Sequence, residues 1–189
     1  EAKRRLQELL AGSKLEERIK TAQQAVKDLN SDDGFELMVE NESKRVLQRL
    51  TDDRHLTVKV EAVLEGVRPA DCLLIWREAP LYPNWFPFVS GGKQLHEVGP
   101  GEVLIQIVVE TFFMSVDMVL WGWGCDNLSH DGNFLLIVRP IRSTTTLPPG
   151  VTLPPIGGKG STKMFGALRA HAVIDILLEP ISDNSVRFA

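Results

Sequence analysis

The segment Trp76–Phe88, with the sequence WREAPLYPNWFPF, constrains the fold of this chain more than any other stretch. It combines five of the thirteen aromatic side chains of the chain with three prolines. The segment is too apolar for an ordinary loop, and its prolines interrupt a long helix. We therefore expect a short, stiff connector whose rings turn inward against a curved sheet and help it to enclose a cavity.

Around this segment, apolar residues alternate with polar ones, which is typical of half-buried strands. We predict strands at Phe35–Glu40, Arg45–Leu50, Thr57–Leu64, Val103–Glu110, Val116–Gly124, Asn133–Ile141, Leu168–Glu179 and Asn184–Phe188. The turn at 126–132 predicts that two of these form an antiparallel hairpin.

Helical periodicity precedes the strands. Leu15, Ile19, Ala22, Val26 and Leu29 form an apolar stripe, with Gly12 and Ser13 marking a break before it. We expect this helix to pack on its own domain rather than to form a coiled coil.

The order of the elements predicts an α+β chain. Residues 1–33 are the N-terminal helical segment, and residues 34–189 form the antiparallel sheet domain. Ala70–Glu78 is expected to form a short helix. The Pro- and Gly-rich stretch 144–161 is expected to be a polyproline-like loop that gates the cavity.

Composition excludes some classes of function. A net charge of −4 argues against nucleic-acid binding, which requires an excess of Lys and Arg. No apolar run reaches the length of a transmembrane segment, although peripheral membrane contact stays open. Cys72 and Cys125 suggest buried free thiols in a reducing intracellular compartment. Because the chain begins with Glu1, an organelle reached after removal of a targeting segment is the alternative.

No motif points to a metal, a cofactor or a catalytic centre. The four histidines lack the spacing of metal ligands, and no nucleophile elbow is present. If this chain were an enzyme built on such a cavity, His171 and Asp117 would be its only candidate catalytic residues. We rank that function last, because no nucleophile–base pair is readable.

One polar pair and several aromatic residues are the candidate ligand contacts. Asp117 and Arg139 fall on strands expected to be neighbours, in the same phase as apolar residues. If that phase faces inward, the two charges need each other, and such a pair would orient the polar head of a ligand. The predicted ligand-binding residues are Trp76, Trp85, Phe88, Asp117, Trp121, Trp123, Arg139 and His171. The alternative is that the rings are plain core and that the charges have no role in ligand binding.

Several strings of residues, in this order, resemble the START family of lipid-binding domains, which have the helix-grip fold. The strings are VKVEAVL at 58–64, the segment from Trp76 to Phe88, FFMSVD at 112–117 and GWG at 122–124. The resemblance implies a curved antiparallel sheet around a tunnel for one lipid, with a charged strand pair at Asp117 and Arg139. The usual Arg before that Asp is Val116 here, and the ten residues after Glu179 are too few for the long closing helix of the family.

Two functions follow as expectations. The first is non-catalytic binding of a lipid or another apolar ligand in a sheet-lined cavity. The second is a structural subunit of a larger assembly, with a protein partner that completes the fold in place of the closing helix. An emptied protein that stays empty across lipid classes would argue for the second.

Overall fold

The computed structural model describes residues 14–52, 55–99, 101–110, 114–142, 145–154 and 167–189. Helix α1 spans Lys14–Leu29, α2 spans Pro69–Arg77, and a 3-10 helix spans Ala79–Asn84. The strands are β1 (Glu36–Glu40), β2 (Lys44–Asp52), β3 (His55–Glu65), β4 (Val89–Gly99), β5 (Glu102–Glu110), β6 (Ser115–Asn127), β7 (Asn133–Pro140), β8 (Ala167–Arg169), β9 (Ile174–Ser182) and β10 (Ser185–Phe188). None of the helices in these ranges is long and apolar enough to cross a membrane.

All the strands belong to one sheet. Its order is β1-β2-β3-β10-β9-β7-β6-β5-β4, with antiparallel neighbours throughout. The short strand β8 lies off this path and pairs with β6 in parallel. The large antiparallel sheet with a preceding helix confirms the α+β class predicted from the sequence. The boundary between residues 33 and 34 as a domain division stays a prediction.

The two faces of the central strands are covered differently. On one, which we call the α1 face, the small Ala25 of α1 is buried against Leu135, Ile137 and Leu177. A helix with alanines on its inner side can approach a sheet closely, so this contact excludes water. The other, which we call the pocket face, lies under α2 and the 3-10 helix.

A group of four charges joins the α1–β1 connection to the next two strands. Lys59 Nζ lies 2.8 Å from Asp32 Oδ1 and 2.9 Å from Glu61 Oε1, and Arg45 Nη1 lies 2.7 Å from Asp32 Oδ2. Hydrogen bonds from Lys59 and then Arg45 lower the pKa of Asp32. The Asp32 carboxylate therefore stays ionised to a lower pH than an ordinary aspartate. Its ion pairs with Lys59 and Arg45 keep this end of the sheet connected to α1.

Three expectations need correction or fall outside the description. Strand β4 is absent from the predicted elements. The predicted single strand Leu168–Glu179 is two strands, because β8 pairs with β6 whereas β9 pairs with β7. The expected helix break at Gly12 and Ser13 lies outside the described residues. No closing helix is among the elements of the described residues.

Candidate functional site

A pocket of about 740 Å³ lies on the pocket face of the sheet. Its walls are the inward side chains of β5, β6, β7 and β9, together with side chains of α2 and of the connection from the 3-10 helix to β4. The lining includes Leu73, Trp76, Tyr82, Phe86, Val103, Ile105, Ile107, Val109, Met118, Leu120, Leu136, Val138, Ile174 and Ile176. A space of this size and apolar character is typical of a site for a small apolar molecule.

The pocket face is only partly covered: Leu120 and Ile176 are buried there, whereas other side chains of this face are not. Along β6 and β7, Val119 and Ile137 on the α1 face are buried, whereas Met118 and Val138 on the pocket face are only half-buried. Apolar groups left partly accessible inside a fold gain free energy when another apolar group covers them. The pocket face therefore offers a binding surface that the described chain does not itself fill.

An aromatic cluster forms the wall contributed by α2 and the 3-10 helix. The rings of Trp76 and Phe86 meet edge to face at 5.8 Å, and those of Tyr82 and Phe86 at 5.7 Å. The Tyr82 hydroxyl donates a hydrogen bond of 2.6 Å to the Trp76 carbonyl oxygen. Burial raises the pKa of Tyr82 to about 12. The hydroxyl thus stays neutral, and it fixes α2 to the 3-10 helix rather than serving the pocket as a charge.

Gly92 of β4 holds the 3-10 helix against the sheet. A Cβ at this position would lie 1.8 Å from the Ala79 carbonyl oxygen and 2.7 Å from its carbonyl carbon. Only a residue without a side chain allows the two backbones to approach this closely. This contact sets the position of the aromatic wall.

Two further glycines leave room inside the pocket. Gly122 and Gly124 lie on the pocket face of β6, where they alternate with Trp121 and Trp123. A Cβ at Gly122 would make only ordinary contacts, at 3.7 Å from Val138 Cγ2 and 3.9 Å from Val103 Cγ2. The backbone would tolerate a side chain at this position, so the absence of one makes the pocket larger.

Few groups with reactive or charged side chains border the pocket. Among the lining residues that the structure describes, Arg77 and Asp126 carry charges. The Arg77 guanidinium also pairs with Glu97 at 2.6 Å. Burial raises the pKa of the lining Cys125 thiol, which outweighs the opposite effect of Arg18. A protonated thiol is a poor nucleophile, so this arrangement suits binding rather than covalent chemistry.

The predicted pairing of Asp117 with Arg139 is wrong. Asp117 is 0% exposed, and its Oδ2 lies 2.6 Å from Arg169 Nη2 of β8, while Gln106 donates to its Oδ1 at 3.0 Å. Arg139 instead binds the Asp175 carboxylate through both Nη atoms, the second at 3.2 Å. β8 brings Arg169 directly opposite Asp117, and β9 brings Asp175 beside Arg139.

The odd-numbered phase of β6 and β7 does face the interior, but mainly on the side of α1. Asp117, Trp121 and Arg139 lie on the α1 face, because that face collects the odd-numbered residues of β6 and β7. The Trp121 indole donates to Glu102 at 2.6 Å and lies outside the lining of the pocket on the pocket face. Together with Trp123 and Arg139 it borders a second space, of about 700 Å³, beside α1. These three residues consequently contribute to the packing of the opposite face.

The remaining predicted residues divide into two groups. Trp76 and Trp123 line the pocket, although the Trp123 ring also lies 5.3 Å from the Arg18 guanidinium of α1. Trp85, Phe88 and His171 are exposed and lie outside the described lining. Trp85 supports the wall from behind, since its ring stacks on Phe86 at 4.2 Å. Whether any of these residues binds a ligand stays a prediction.

The expected gate is only partly described. Residues 145–154 do not border the pocket; Leu147, Val151 and Leu153 pack on Leu104, Val119 and Trp121 of the α1 face. This stretch therefore covers the sheet on the side opposite to the one that a gate would occupy. The rest of the expected gate, at 144 and 155–161, lies outside the described residues.

The aliphatic lining of the pocket was not predicted from the sequence, although the sequence of β6 contains a pattern that indicates it. In the second half of β6, Gly122 and Gly124 alternate with Trp121 and Trp123, so one face of that part of the strand lacks large side chains. Such a face borders either a close backbone neighbour or open space. The even phase of β6 was thus the better candidate for a cavity wall.

Comparison by sequence found no matching family model and no matching curated protein. Comparison of structures gives clear matches to lipid transfer domains at low sequence identity. A STAR-related lipid transfer protein from Xanthomonas axonopodis matches with a TM-score of 0.60 and 17% identity, over 83% of this chain and 81% of that chain. Human StAR-related lipid transfer protein 5 matches with a TM-score of 0.60 and 11% identity, over 90% of this chain and 78% of that one.

The lipid transfer and protein localization domain of human StarD13 matches with a TM-score of 0.56 and 15% identity, over 90% of this chain and 78% of that chain. In each case the match extends over most of both chains. The chain therefore has the START-like helix-grip fold, a curved antiparallel sheet with an N-terminal helix and short helices after β3.

Proposed function

We propose that this chain binds a lipid or another apolar molecule in the pocket and does not catalyse a reaction on it. The observation that carries the proposal is a space of about 740 Å³ with an almost wholly apolar lining, which half-buried side chains such as Met118, Val138 and Ile174 face. Burying an acyl chain there contributes about 0.8 kcal/mol per methylene group. The structural neighbours that are named as lipid transfer proteins support the same class of ligand.

The polar groups of the pocket support a binding role. Arg77 and Asp126 are placed to contact the polar end of a ligand at the edge of an otherwise apolar lining. Tyr82 and Cys125 keep their protons, so neither supplies a nucleophile at neutral pH. A ligand would therefore be held mainly by burial, with its head group oriented by one or two polar contacts.

Filling the pocket from Gly122 tests this function. In Gly122→Leu the new side chain enters the pocket between Val103 and Val138, and we expect occupancy to fall at least tenfold. Stability should hold or rise by about 0.5–1 kcal/mol, because glycine weakens a strand interior. Delipidated protein is mixed with a lipid extract, and native mass spectrometry measures the bound species.

The matched control is Gly99→Leu. Gly99 is a strand glycine outside the pocket lining, and a Cβ added there would have no atom within 4 Å. The variant should retain the bound lipid as the unchanged chain does. Equal occupancy in both variants, or an unchanged chain that binds no lipid of any class, would contradict the proposal.

A second candidate function is that of a subunit in a larger assembly. It is favoured by the apolar side chains that β1, β2 and β3 leave exposed, among them Val39, Leu50, Leu56 and Val58. A protein partner covering these strands would remove that surface from water. Aggregation of the isolated chain, relieved by a co-purified partner, would support this candidate; a soluble monomer that retains lipid would argue against it.

A further inference from the structure

The second space, of about 700 Å³, lies beside α1 on the face of the sheet opposite to the pocket. We call it the α1-side space. Its lining differs in chemistry from that of the pocket, because most of the residues that border it carry charges, hydroxyl groups or indole rings. Among them are Arg18, Trp121, Trp123, Arg139, Thr145 and Thr146. A ligand of this space would therefore need polar groups that the apolar pocket does not require.

Two arginines present their positive charge to the α1-side space. Arg18 and Arg139 border it, whereas their ion-pair partners, Glu102 and Asp175, are not among the described lining residues. Each arginine side chain is 26% exposed, and each partner is less exposed, at 14% for Glu102 and 19% for Asp175. A molecule that enters the space therefore meets the two guanidinium groups before it meets the carboxylates behind them.

The guanidinium groups also keep hydrogen-bond donors that their ion pairs do not use. A guanidinium carries five N–H donors. Arg18 contacts Glu102 through Nη2, and Arg139 contacts Asp175 through Nη1 and, at 3.2 Å, through Nη2. The hydrogen bonds among the described residues thus occupy only some of these donors. Charged donors beside an accessible space suit the oxygens of an anion, because hydrogen bonds between ionised groups are the stronger ones.

The indole of Trp123 adds an independent observation. Its Nε1 is buried and has no hydrogen-bond partner among the described residues, whereas the neighbouring Trp121 indole donates to Glu102 at 2.6 Å. A buried donor without an acceptor costs free energy, and native structures pair nearly all such groups. The Trp123 ring lies 5.3 Å from the Arg18 guanidinium, so both groups belong to one wall of the space. An acceptor bound there would supply the partner that Trp123 lacks.

The size and the apolar parts of the α1-side space indicate an organic ligand. An inorganic anion fills only a small part of about 700 Å³, which is a volume typical of sites for small organic molecules. Trp123 and Pro140 border the space and are half-buried, so they leave apolar surface for a ligand to cover. A flat ring covers an indole well, because aromatic rings attract each other in stacked and edge-to-face arrangements.

We propose that the α1-side space binds an organic carboxylate that carries an aromatic ring. The carboxylate accepts hydrogen bonds from the arginines, and the ring packs against Trp123. This site goes beyond the proposed function, since it lies on the other face of the sheet and requires a ligand of different chemistry. Trp123 is the one described residue that borders both the pocket and the α1-side space.

Titration calorimetry of the full chain with naphthoate, compared with the neutral naphthamide, tests the proposal. We expect naphthoate to bind at least ten times more tightly than naphthamide. Arg18→Gln should weaken naphthoate binding at least tenfold, because it removes a charged donor. Glu17→Gln should strengthen it about threefold, since Glu17 is the one acidic residue of the described lining and repels an anion.

Two control variants separate the site from its surroundings. Lys20→Gln removes the same charge from α1 as Arg18→Gln, but Lys20 is 71% exposed and outside the described lining, so naphthoate affinity should change less than about twofold. Gly122→Leu fills the pocket on the other face and should leave naphthoate binding unchanged. Urea unfolding shows whether Arg18→Gln is folded. If it is not, the Glu17→Gln variant and the naphthamide comparison still decide.

Four results would overturn the proposal. They are the absence of naphthoate binding, equal affinity for naphthoate and naphthamide, equal effects of Arg18→Gln and Lys20→Gln, and loss of naphthoate binding in Gly122→Leu. The last result would assign naphthoate to the pocket. Lipid occupancy is measured separately by native mass spectrometry, so a chain that binds lipid but not naphthoate refutes the α1-side site alone. A chain that binds naphthoate as expected but no lipid refutes the proposed function alone.

Discussion

Gly92→Ala is expected to destabilise the fold by about 3 kcal/mol and to weaken ligand binding. The added methyl group would lie 1.8 Å from the Ala79 carbonyl oxygen, a backbone atom that cannot rotate away. Overpacking of this kind typically costs about 1–3 kcal/mol or more. Relief requires the 3-10 helix to move from β4, which displaces Tyr82 and Phe86 in the pocket wall. Urea unfolding measures the first effect, and lipid occupancy measures the second.

The adjacent glycine provides the control for this substitution. At Gly91 a Cβ would meet Val108 at 3.8 Å, which is an ordinary contact. Gly91→Ala should therefore change the free energy of unfolding by less than about 1 kcal/mol. Equal stability of the two variants would show that the close contact between Gly92 and Ala79 does not hold the aromatic wall.

Asp117→Asn is expected to destabilise the fold by about 3 kcal/mol without emptying the pocket. The carboxylate is fully buried and is the charge partner of Arg169, so its loss leaves the arginine largely buried without that partner. Removing one member of a buried ion pair typically costs about 3–5 kcal/mol. Arg169 also donates to the Pro154 carbonyl oxygen at 2.9 Å, so the effect should extend to the stretch that covers the α1 face. Urea unfolding measures the loss.

The exposed pair of Arg77 and Glu97 is the comparison for this variant. Glu97→Gln removes a carboxylate at a similar distance, but on the surface, where such a pair contributes about 0–1 kcal/mol. Lipid occupancy of Asp117→Asn, measured under native conditions, distinguishes a packing role from a ligand role. If Asp117→Asn kept its stability but lost its lipid, the charge would belong to a ligand site after all.

Strands could be predicted from the sequence where apolar and polar residues alternate regularly. Strand β4 lacks this alternation and was therefore not predicted. The β4 sequence VSGGKQLHEVG contains two adjacent glycines and no sustained alternation. Glycine is a poor strand residue by propensity, yet Gly92 is required because the Ala79 carbonyl lies against it. A tertiary contact selects this residue, and its partner cannot be read from a local pattern.

The face that borders the pocket could not be assigned from periodicity, because both faces of β6 and β7 carry apolar residues. The odd-numbered residues of these strands include Asp117, Arg139 and the tryptophans, so the sequence suggested these residues as the wall of the cavity. Those charges are instead neutralised within the α1 face by Arg169 and Asp175, which come from strands far along the chain. The plain even phase, with Gly122 and Gly124, borders the pocket. A buried charge in the sequence indicates only that some oppositely charged side chain must lie beside it. The order of the strands in the sheet determines which side chain that is.

Photolabelling with a diazirine-bearing fatty acid tests the central claim most directly, since it reports which face of the sheet holds an apolar ligand. After irradiation and digestion, mass spectrometry identifies the labelled residues. We predict labels on pocket-face residues such as Met118, Val138 and Ile174, with competition by unlabelled lipid. Labels concentrated on α1-face residues such as Val119 and Ile141, or labelling that unlabelled lipid does not compete away, would contradict this account.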